Sequence, residues 1–432
     1  MKRKSRPVRR APPGRPVELA IETLGARGDG VAQLNGEAVF VAATLPGDRV
    51  VARLEGRRGE GLAATLIEVL EPGPTRVAAR CPHWGRCGGC SLQHFDDAAC
   101  AAWKREVLVE ALGRAGFDAG RVAPTVSIAP GTRRRATFAW RHRRDGSVAG
   151  FTARASHLVV DIHDCPLLRP ELVALLAPLR ALLGEMSAEG EGDAVATLTE
   201  TGIDLMLAGE ARLDLFDLER LAAFAAESDL ARLHWRRPGQ AAQPVAVRRA
   251  PVVRFAGIGV EVPPGAFLQP SPEGEAAIVA LIQNALVGLG GGPIADLYAG
   301  CGSFTFPLAQ DRPVHAVEGD AASMASLLRA AHRHAVPIEG ETRDLADRPL
   351  LEGELKRFAA VVFDPPRAGA APQAEILARA GPPLVVAVSC NPATLARDAR
   401  LLAGGGYVLE RATPVDQFPW SAHLEAVAVF RR

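Results

Sequence analysis

A thiol, a set of carboxylates and a cluster of further thiols in this sequence stand where they could do chemistry. Ser389-Cys390-Asn391-Pro392 follows an apolar, valine-rich run at residues 384–388 that predicts a buried strand. A cysteine just past a strand end sits where α/β sheets bind ligands, and its thiolate would be a nucleophile. Asp364-Pro365-Pro366-Arg367 follows a second run, residues 358–363, so two prolines would hold a carboxylate stiffly at another strand end. Glu425 closes Phe418-Pro419-Trp420-Ser421-Ala422-His423-Leu424-Glu425, just before a last strand at residues 426–430. A buried glutamate there would have a raised pKa and could accept a proton beside the thiol.

The thiol cluster is Cys81-Pro-His-Trp-Gly-Arg-Cys87-Gly-Gly-Cys90. Its glycines leave the backbone free to wrap round a metal with the sulfurs inward. Cys165, in His163-Asp164-Cys165-Pro166, is the best candidate for a fourth ligand. Cys100 competes, but its stretch, residues 96–112, predicts a helix and a packing role. The spacing C-x5-C-x2-C differs from the paired C-x2-C of structural zinc, and zinc and iron–sulfur both stay open.

These groups need elements to carry them. From Val262 onward helices and strands alternate, which predicts a parallel α/β sheet. A helix opens at Pro270-Ser271-Pro272-Glu273 and runs to about residue 289. Ile294-Ala295-Asp296-Leu297-Tyr298-Ala299-Gly300-Cys301-Gly302-Ser303 then reads as strand and glycine turn, and lacks the full G-x-G-x-x-G of dinucleotide folds. The next strand, residues 314–318, ends in Glu318, at the distance where such folds hold ribose hydroxyls. That pairing fits S-adenosylmethionine. A further strand is expected to end at Arg343-Asp344.

Upstream, short valine-rich runs at residues 17–21, 37–41, 49–54 and 61–70, with Asn35-Gly36 and Pro46-Gly47 at turns, predict a small closed β-barrel of the oligonucleotide-binding kind. Arg133-Arg134-Arg135-Ala-Thr-Phe138-Ala-Trp140-Arg141-His142-Arg143-Arg144 predicts a ribbon that turns at Asp145-Gly146. Its arginines would meet phosphates and its two aromatics would stack bases. Residues 187–254 mix strands and helices, with an acidic loop at 189–193. The first ten residues carry six basic side chains, an arm suited to phosphates or simply a solvated tail.

The chain has 432 residues, 48% hydrophobic and 23% charged, with net charge +1, room for two or three domains. No apolar run is long enough to span a membrane, and no apolar segment follows the basic start, so a cytoplasmic protein is expected. Seven cysteines, three of them clustered, do not form a disulfide framework.

Together these motifs resemble the RNA 5-methyluridine methyltransferases. They are most similar to the branch with an N-terminal TRAM domain and an iron–sulfur cluster, acting on 23S ribosomal RNA. The likeness rests on Cys81…Cys87-Gly-Gly-Cys90…Gln93-His94, Asp164-Cys165-Pro166, residues 296–305, Asp364-Pro-Pro-Arg367, residues 389–398 and the segment ending at Glu425. It implies an α/β fold with a Rossmann-like class I S-adenosylmethionine-dependent methyltransferase domain at 262–432. An OB-like barrel (TRAM) with its basic arm would occupy 1–72, and a central α+β RNA-binding domain carrying the cluster 73–261. The helix near 96–116 would pack on the catalytic domain. The resemblance implies Cys390 as nucleophile and Glu425 as base. It assigns Cys81, Cys87, Cys90 and Cys165 to a [4Fe-4S] cluster, and Gln269, Tyr298, Ser303, Glu318, Asp344 and Asp364 to the cofactor. The chain departs from the family pattern at Ser271, Ser303 and Asp344, where asparagine is common. A monomer acting on RNA, with no membrane, is expected. Covalent catalysis would need a thiolate, so the cleft is expected to lower the Cys390 pKa. The rival expectations are the same chemistry on transfer RNA, and an RNA-binding iron–sulfur protein without catalysis.

Overall fold

The computed structural model describes residues 14–187 and 189–432; the basic arm at residues 1–10 lies outside them. The chain divides into two compact units. One holds the described residues up to Trp103 together with Trp420–His423, the other Lys104–Pro419 and Leu424–Arg432.

In the first unit six strands, β1 (Pro16–Ala20), β2 (Thr23–Leu24), β3 (Gly30–Leu34), β4 (Glu37–Val41), β5 (Arg49–Arg58) and β6 (Gly61–Glu71), pair in the order β1-β5-β6-β4-β3-β2. Alternate side chains point to one face, so Leu19, Val39, Val41, Val50 and Ala52 close an apolar core. Asp48 ties this sheet to the segment after β6. It accepts from Leu45 N, Gly73 N and the Arg76 guanidinium, and these partners hold its carboxyl below the usual range against the push of burial. Helix α1 (Asp97–Gly113) begins in this unit, with Cys100 buried among Leu45, Leu92 and Phe95, the packing role its helical stretch predicts.

The second unit contains two large sheets. Its first seven-stranded sheet uses β8 (Arg135–Arg143), β9 (Gly146–Thr152), β10 (Val159–Asp161), β11 (Gly190–Thr199), β12 (Gly202–Gly209), β13 (Arg232–Arg236) and β14 (Gln243–Val247), in the order β10-β9-β8-β11-β12-β13-β14. Helices α2 (Pro170–Ala174), α3 (Leu176–Glu185) and α4 (Leu215–Glu227) accompany it. The basic ribbon is present as β8 and β9, but two expectations about it are corrected. Phe138 and Trp140 are core residues, packed on Phe151 and Trp235 with ring centroids 5.4 and 6.2 Å apart, because inward positions of a half-covered sheet take the largest apolar side chains. The acidic segment at 189–193 is mostly strand: Glu191 and Asp193 lie on β11, beside the ribbon, and Glu191 and Glu189 pair with Arg143 and Arg144.

A hairpin, β15 (Val252–Phe255) and β16 (Ile258–Glu261), leads to the second sheet. This has β17 (Ile294–Leu297), β18 (Val314–Glu318), β19 (Ile338–Thr342), β20 (Ala360–Phe363), β21 (Leu384–Ser389), β22 (Val408–Asp416) and β23 (Glu425–Arg431), joined by β7 (Val126–Ser127), in the order β19-β18-β17-β20-β21-β23-β22-β7. The first five of that order run parallel, with α5 (Pro272–Leu286), α6 (Thr305–Leu308), α7 (Ala321–Arg333), α8 (Glu352–Leu355), α9 (Ala371–Ala380) and α10 (Pro392–Gly404) between the strands; β23 is antiparallel to its neighbours. The central strands β20 and β21 are buried along their whole length and almost wholly apolar without alternation, since both faces are covered. Leu108 and Leu112 of α1 enter the same core as Val361, Val385 and Phe430. Among the described residues no helix is long and apolar enough to cross a membrane.

Candidate active site

Parallel register fixes the site. Leu297 pairs with Phe363 and Phe363 with Ala387, so β17 and β20 end level with one another while β21 runs on to Ser389. Tyr298, Asp364 and Cys390 follow β17, β20 and β21 respectively along that edge, where open α/β sheets bind ligands. On the other side of β21, Ser389 pairs with Ala426 in antiparallel register. Carrying that register one residue beyond β21 brings Cys390 level with Glu425, and the Glu425 charge acts on the thiol, so the two groups singled out from sequence lie near one another.

Local structure locks each of them. Asn391 caps α10, accepting from Ala393 N, while its own amide donates to Arg367 O at 3.1 Å. Asp398 accepts from Ala370 N at 2.8 Å, and Arg397 donates to Ala368 O at 2.9 Å. The loop bearing Asp364 and the helix following Cys390 are thus one assembly. On β22, Asp416 takes the ammonium of Lys104, only 1% exposed, at 2.5 Å, and Lys104 also donates to Phe418 O. Losing one partner of such a buried pair costs about 3–5 kcal/mol.

Glu425 is 3% exposed. Its Oε2 accepts from Gln417 Nε2 at 3.0 Å, the same nitrogen donates to Gln269 Oε1 at 2.9 Å, and Gln269 Nε2 donates to Asp364 Oδ2 at 2.9 Å. Burial, then the charge of Asp364, push the Glu425 carboxyl well above the ordinary range, while Gln417 pulls it back. Burial likewise raises Asp364, against its bond from Gln269. The Cys390 thiol goes the other way from the sequence expectation. Burial raises it, and the carboxylates of Glu425 and Asp364 raise it further, against a smaller pull from Arg367. A thiol beside two carboxylates competes with them for negative charge, which residue types alone do not show.

The glycine turn lies after β17. Tyr298 and Gly300 have φ of 63° and 55°, in the left-handed region, and a Cβ on Gly300 would meet nothing within 4 Å. The chain therefore turns back beneath open space. Glu318 accepts from Gly300 N at 2.8 Å and from Asp320 N at 2.7 Å, fixing a carboxylate at the rim of that space with lone pairs to spare for hydroxyls. Asp344 is exposed and follows β19; burial first, then the charges of Asp398, Asp344 and Glu318, push the Tyr298 phenol up to about 12. Ser303 bonds Glu275, which pairs with Arg134 at 2.8 Å. Arg134 is 6% exposed and also donates to Gln269 O, so it supports the site and is not the phosphate contact expected of it. Asp296 is buried with Oδ2 on the Thr305 hydroxyl and Oδ1 without a hydrogen-bond partner among the described residues, and burial pushes its carboxyl up to about 7. Sequence reasoning missed Gln417, Glu275 and Lys104; each meets its partner only through contacts remote in sequence or across a strand end. Arg133 and Arg135 lie over the rings of Phe418 and Phe267, 6.0 and 5.9 Å from their centroids, and Phe267 is 62% exposed. The ribbon's aromatic partners thus come from outside it.

The cysteine loop lies in the first unit. Cys81 N donates to Gln93 Oε1 at 2.9 Å, Cys87 N to His83 O at 2.9 Å, and Gly89 N to Cys87 Sγ at 3.4 Å. Burial pushes the Cys87 thiol up, and the neighbouring Cys81 adds to it. His94 packs on Trp84, and burial holds its imidazole down at about 4. Cys165 is half-buried in the second unit. Among the described residues no three His, Cys, Asp or Glu side chains stand close enough to hold a metal as they are. The donors fit an iron–sulfur cluster in kind: half-buried thiols on one loop, with an amide already directed at sulfur.

An eight-stranded sheet with a glycine turn and carboxylates at its parallel strand ends defines an open α/β fold of the kind that binds nucleotide cofactors at that edge. Known proteins agree. The structure of Pyrococcus abyssi tRNA (uracil-54, C5)-methyltransferase in complex with S-adenosyl-L-homocysteine superposes with TM-score 0.73 at 23% identity, over 96% of this chain and 100% of that one. The family model described as tRNA (Uracil-5-)-methyltransferase matches residues 343–432. A Brucella suis protein named as an uncharacterized RNA methyltransferase is 44% identical over 96% of this chain and 98% of its own. The Alkalilimnicola ehrlichii 23S rRNA (uracil(1939)-C(5))-methyltransferase RlmD is 37% identical over 98% of both. The chain belongs to the RNA uracil-C5-methyltransferase family, and it is an enzyme of that class.

Proposed function

We propose that this enzyme methylates C5 of a uridine in 23S ribosomal RNA, with S-adenosylmethionine as donor, through Cys390 and Glu425. The observation that supports the reading is the β21–β23 register, which ends with Ser389 paired to Ala426 beside Cys390 and Glu425, with Asp364 tied to the Glu425 carboxylate through two amides. Uracil C5 is a weak nucleophile. The Cys390 thiolate forms a bond to C6, and the C5=C6 electron pair moves into an enolate that makes C5 reactive. S-adenosylmethionine, when bound, supplies the methyl group that C5 takes up. Glu425 then removes the C5 proton, the C–H pair rebuilds C5=C6, and the S–C6 bond breaks to return the thiolate. Glu318, Tyr298, Ser303, Asp344, Asp364 and Gln269 are assigned to the donor, around the open space over Gly300.

The target base must leave its stack, at a cost of a few kcal/mol. Arg135 with exposed Phe267, the six-stranded N-terminal sheet read as a TRAM-like barrel, and the basic arm are assigned to the RNA. Cys81, Cys87, Cys90 and Cys165 are assigned as ligands of a [4Fe-4S] cluster, which the donor set fits in kind. The ribosomal target follows the relatives named for 23S rRNA, and transfer RNA is the competing substrate. The test is incubation with methyl-labelled S-adenosylmethionine and RNA lacking 5-methyluridine. Label should enter 23S rRNA with the wild type, and Cys390→Ala should lose on the order of 10⁴-fold or more of the rate while still binding the donor. Label in transfer RNA alone would reassign the substrate; undiminished turnover by Cys390→Ala would refute the nucleophile.

A further inference from the structure

Gln417 is 3% exposed and has no part in the chemistry above, yet it touches the proposed base. Its amide nitrogen carries two protons and both are used, one by Glu425 Oε2 and one by Gln269 Oε1. The direction of this chain is set from its far end. With Asp364 accepting, Gln269 turns its nitrogen to Asp364 and its oxygen to Gln417, which leaves Gln417 only its nitrogen to offer back. Glu425 therefore has two unlike oxygens: Oε2 is tethered, and Oε1 is buried without a hydrogen-bond partner among the described residues.

Two features hold Gln417 in place. Its neighbour Asp416 is fixed by Lys104 and accepts from Phe418 N. On the other side, the first turn of α5 presses on it. A Cβ on Gly274 would come 2.6 Å from Gln417 Oε1 and 2.8 Å from its Cβ, so the side chain fits only because residue 274 has none.

We propose that Gln417 is a positioning residue for proton removal: it holds Oε2 of Glu425 so that Oε1 alone is presented to the C5 proton, and through Gln269 it joins the base to Asp364. This rests on the reading of Glu425 as base. The electrostatics agree in sign. A donor hydrogen bond favours the carboxylate form, opposing burial and the Asp364 charge. The other titratable and charged groups near this cluster are Cys390 just past β21, Arg367, Asp416 on β22 with its partner Lys104, Asp296 beside Asp364, and the Arg134–Glu275 pair behind Gln269.

The test uses the full-length holoenzyme, saturating S-adenosylmethionine and a 23S rRNA transcript tritiated at uridine C5. Gln417→Met keeps the volume and removes the N–H groups. Tritium release should slow by roughly 10- to 100-fold, the equivalent of one lost hydrogen bond to a charged group. The acid limb of the pH–rate profile should move to higher pH, and a covalent protein–RNA species should accumulate on a denaturing gel, with the KM for S-adenosylmethionine within about twofold. Gly274→Ala, which displaces Gln417 without altering it, should shift the profile the same way by less, and decides the matter if Gln417→Met does not fold. An unmoved pH profile with no accumulated adduct in the folded variants would overturn the proposal. Glu425→Gln run in parallel separates the two failures: if it traps adduct and Gln417→Met does not, only the positioning role falls; if neither does, the base assignment falls first.

Discussion

The thiols of this protein occupy two kinds of setting. Cys390 stands at the end of a fully buried strand, opposite Glu425 by register, with Asp364 one strand away. Cys81, Cys87 and Cys90 lie on a loop held by turns and a few side-chain bonds, and among the described residues that loop brings no three ligands together. The first setting is assembled by the sheet alone, before any ligand arrives. The second has thiol donors of the kind assigned to a cluster, and under that assignment the metal itself would close them, with binding and local folding as one event. Rigidity here follows hydrogen-bonded register rather than proximity in sequence: Cys87 and Cys90 are close neighbours in the chain, while Cys390 and Glu425 are far apart in it.

The contrast can be tested at both places. Glu425→Gln should lower turnover by about 10²- to 10⁴-fold, the usual worth of a positioned base. Because the Glu425 charge raises the Cys390 thiol, the same substitution should make Cys390 react faster with iodoacetamide at neutral pH, read by peptide mass spectrometry. Slower alkylation would mean that the carboxylate does not act on the thiol, and the preassembled picture would fail. Cys87→Ser should bleach the brown colour and iron content of anaerobically purified protein, with the β-sheet signal of the circular dichroism spectrum retained. A colourless wild type carrying zinc would remove the iron–sulfur assignment and leave the sheet-edge site untouched. The smallest expected effect concerns Asp296, whose carboxyl is raised from 3.8 to about 7. Between those values the unfolded chain has released a proton that the folded one retains, so rising pH favours unfolding. Asp296→Asn removes that slope, and its stability relative to wild type should improve as pH goes from 4 to 7, by at most on the order of 1 kcal/mol per pH unit in urea titrations.

Much of this site was legible in the sequence. A valine run followed by Ser389-Cys390-Asn391-Pro392, or an apolar run followed by Asp364-Pro365-Pro366, announces its strand end through local pattern, and strand ends are where α/β sheets place function. Glu318 and the glycine turn were legible for the same reason. Properties belonging to pairs were not. Gln417 acquires its role from Gln269, 148 positions away, and Lys104 from Asp416, 312 positions away. The rise of the Cys390 thiol comes first from burial and then from two carboxylates delivered by other strands, none of which the local sequence shows. Phe138 and Trp140 look from sequence like a stacking surface, since alternation shows that two faces exist and not which one is covered.

The central claim is that the sulfur of Cys390 bonds to C6 of uracil while Glu425 waits for the C5 proton. A 23S rRNA transcript carrying 5-fluorouridine tests it directly, because C5 then bears fluorine and offers the base no proton to remove. With S-adenosylmethionine present, an RNA–protein adduct that survives denaturation should form, and digestion should locate the nucleotide, methylated at C5, on Cys390. An adduct on another residue, or methyl transfer to uridine C5 in 23S rRNA with no adduct from its fluorinated counterpart, would contradict the account.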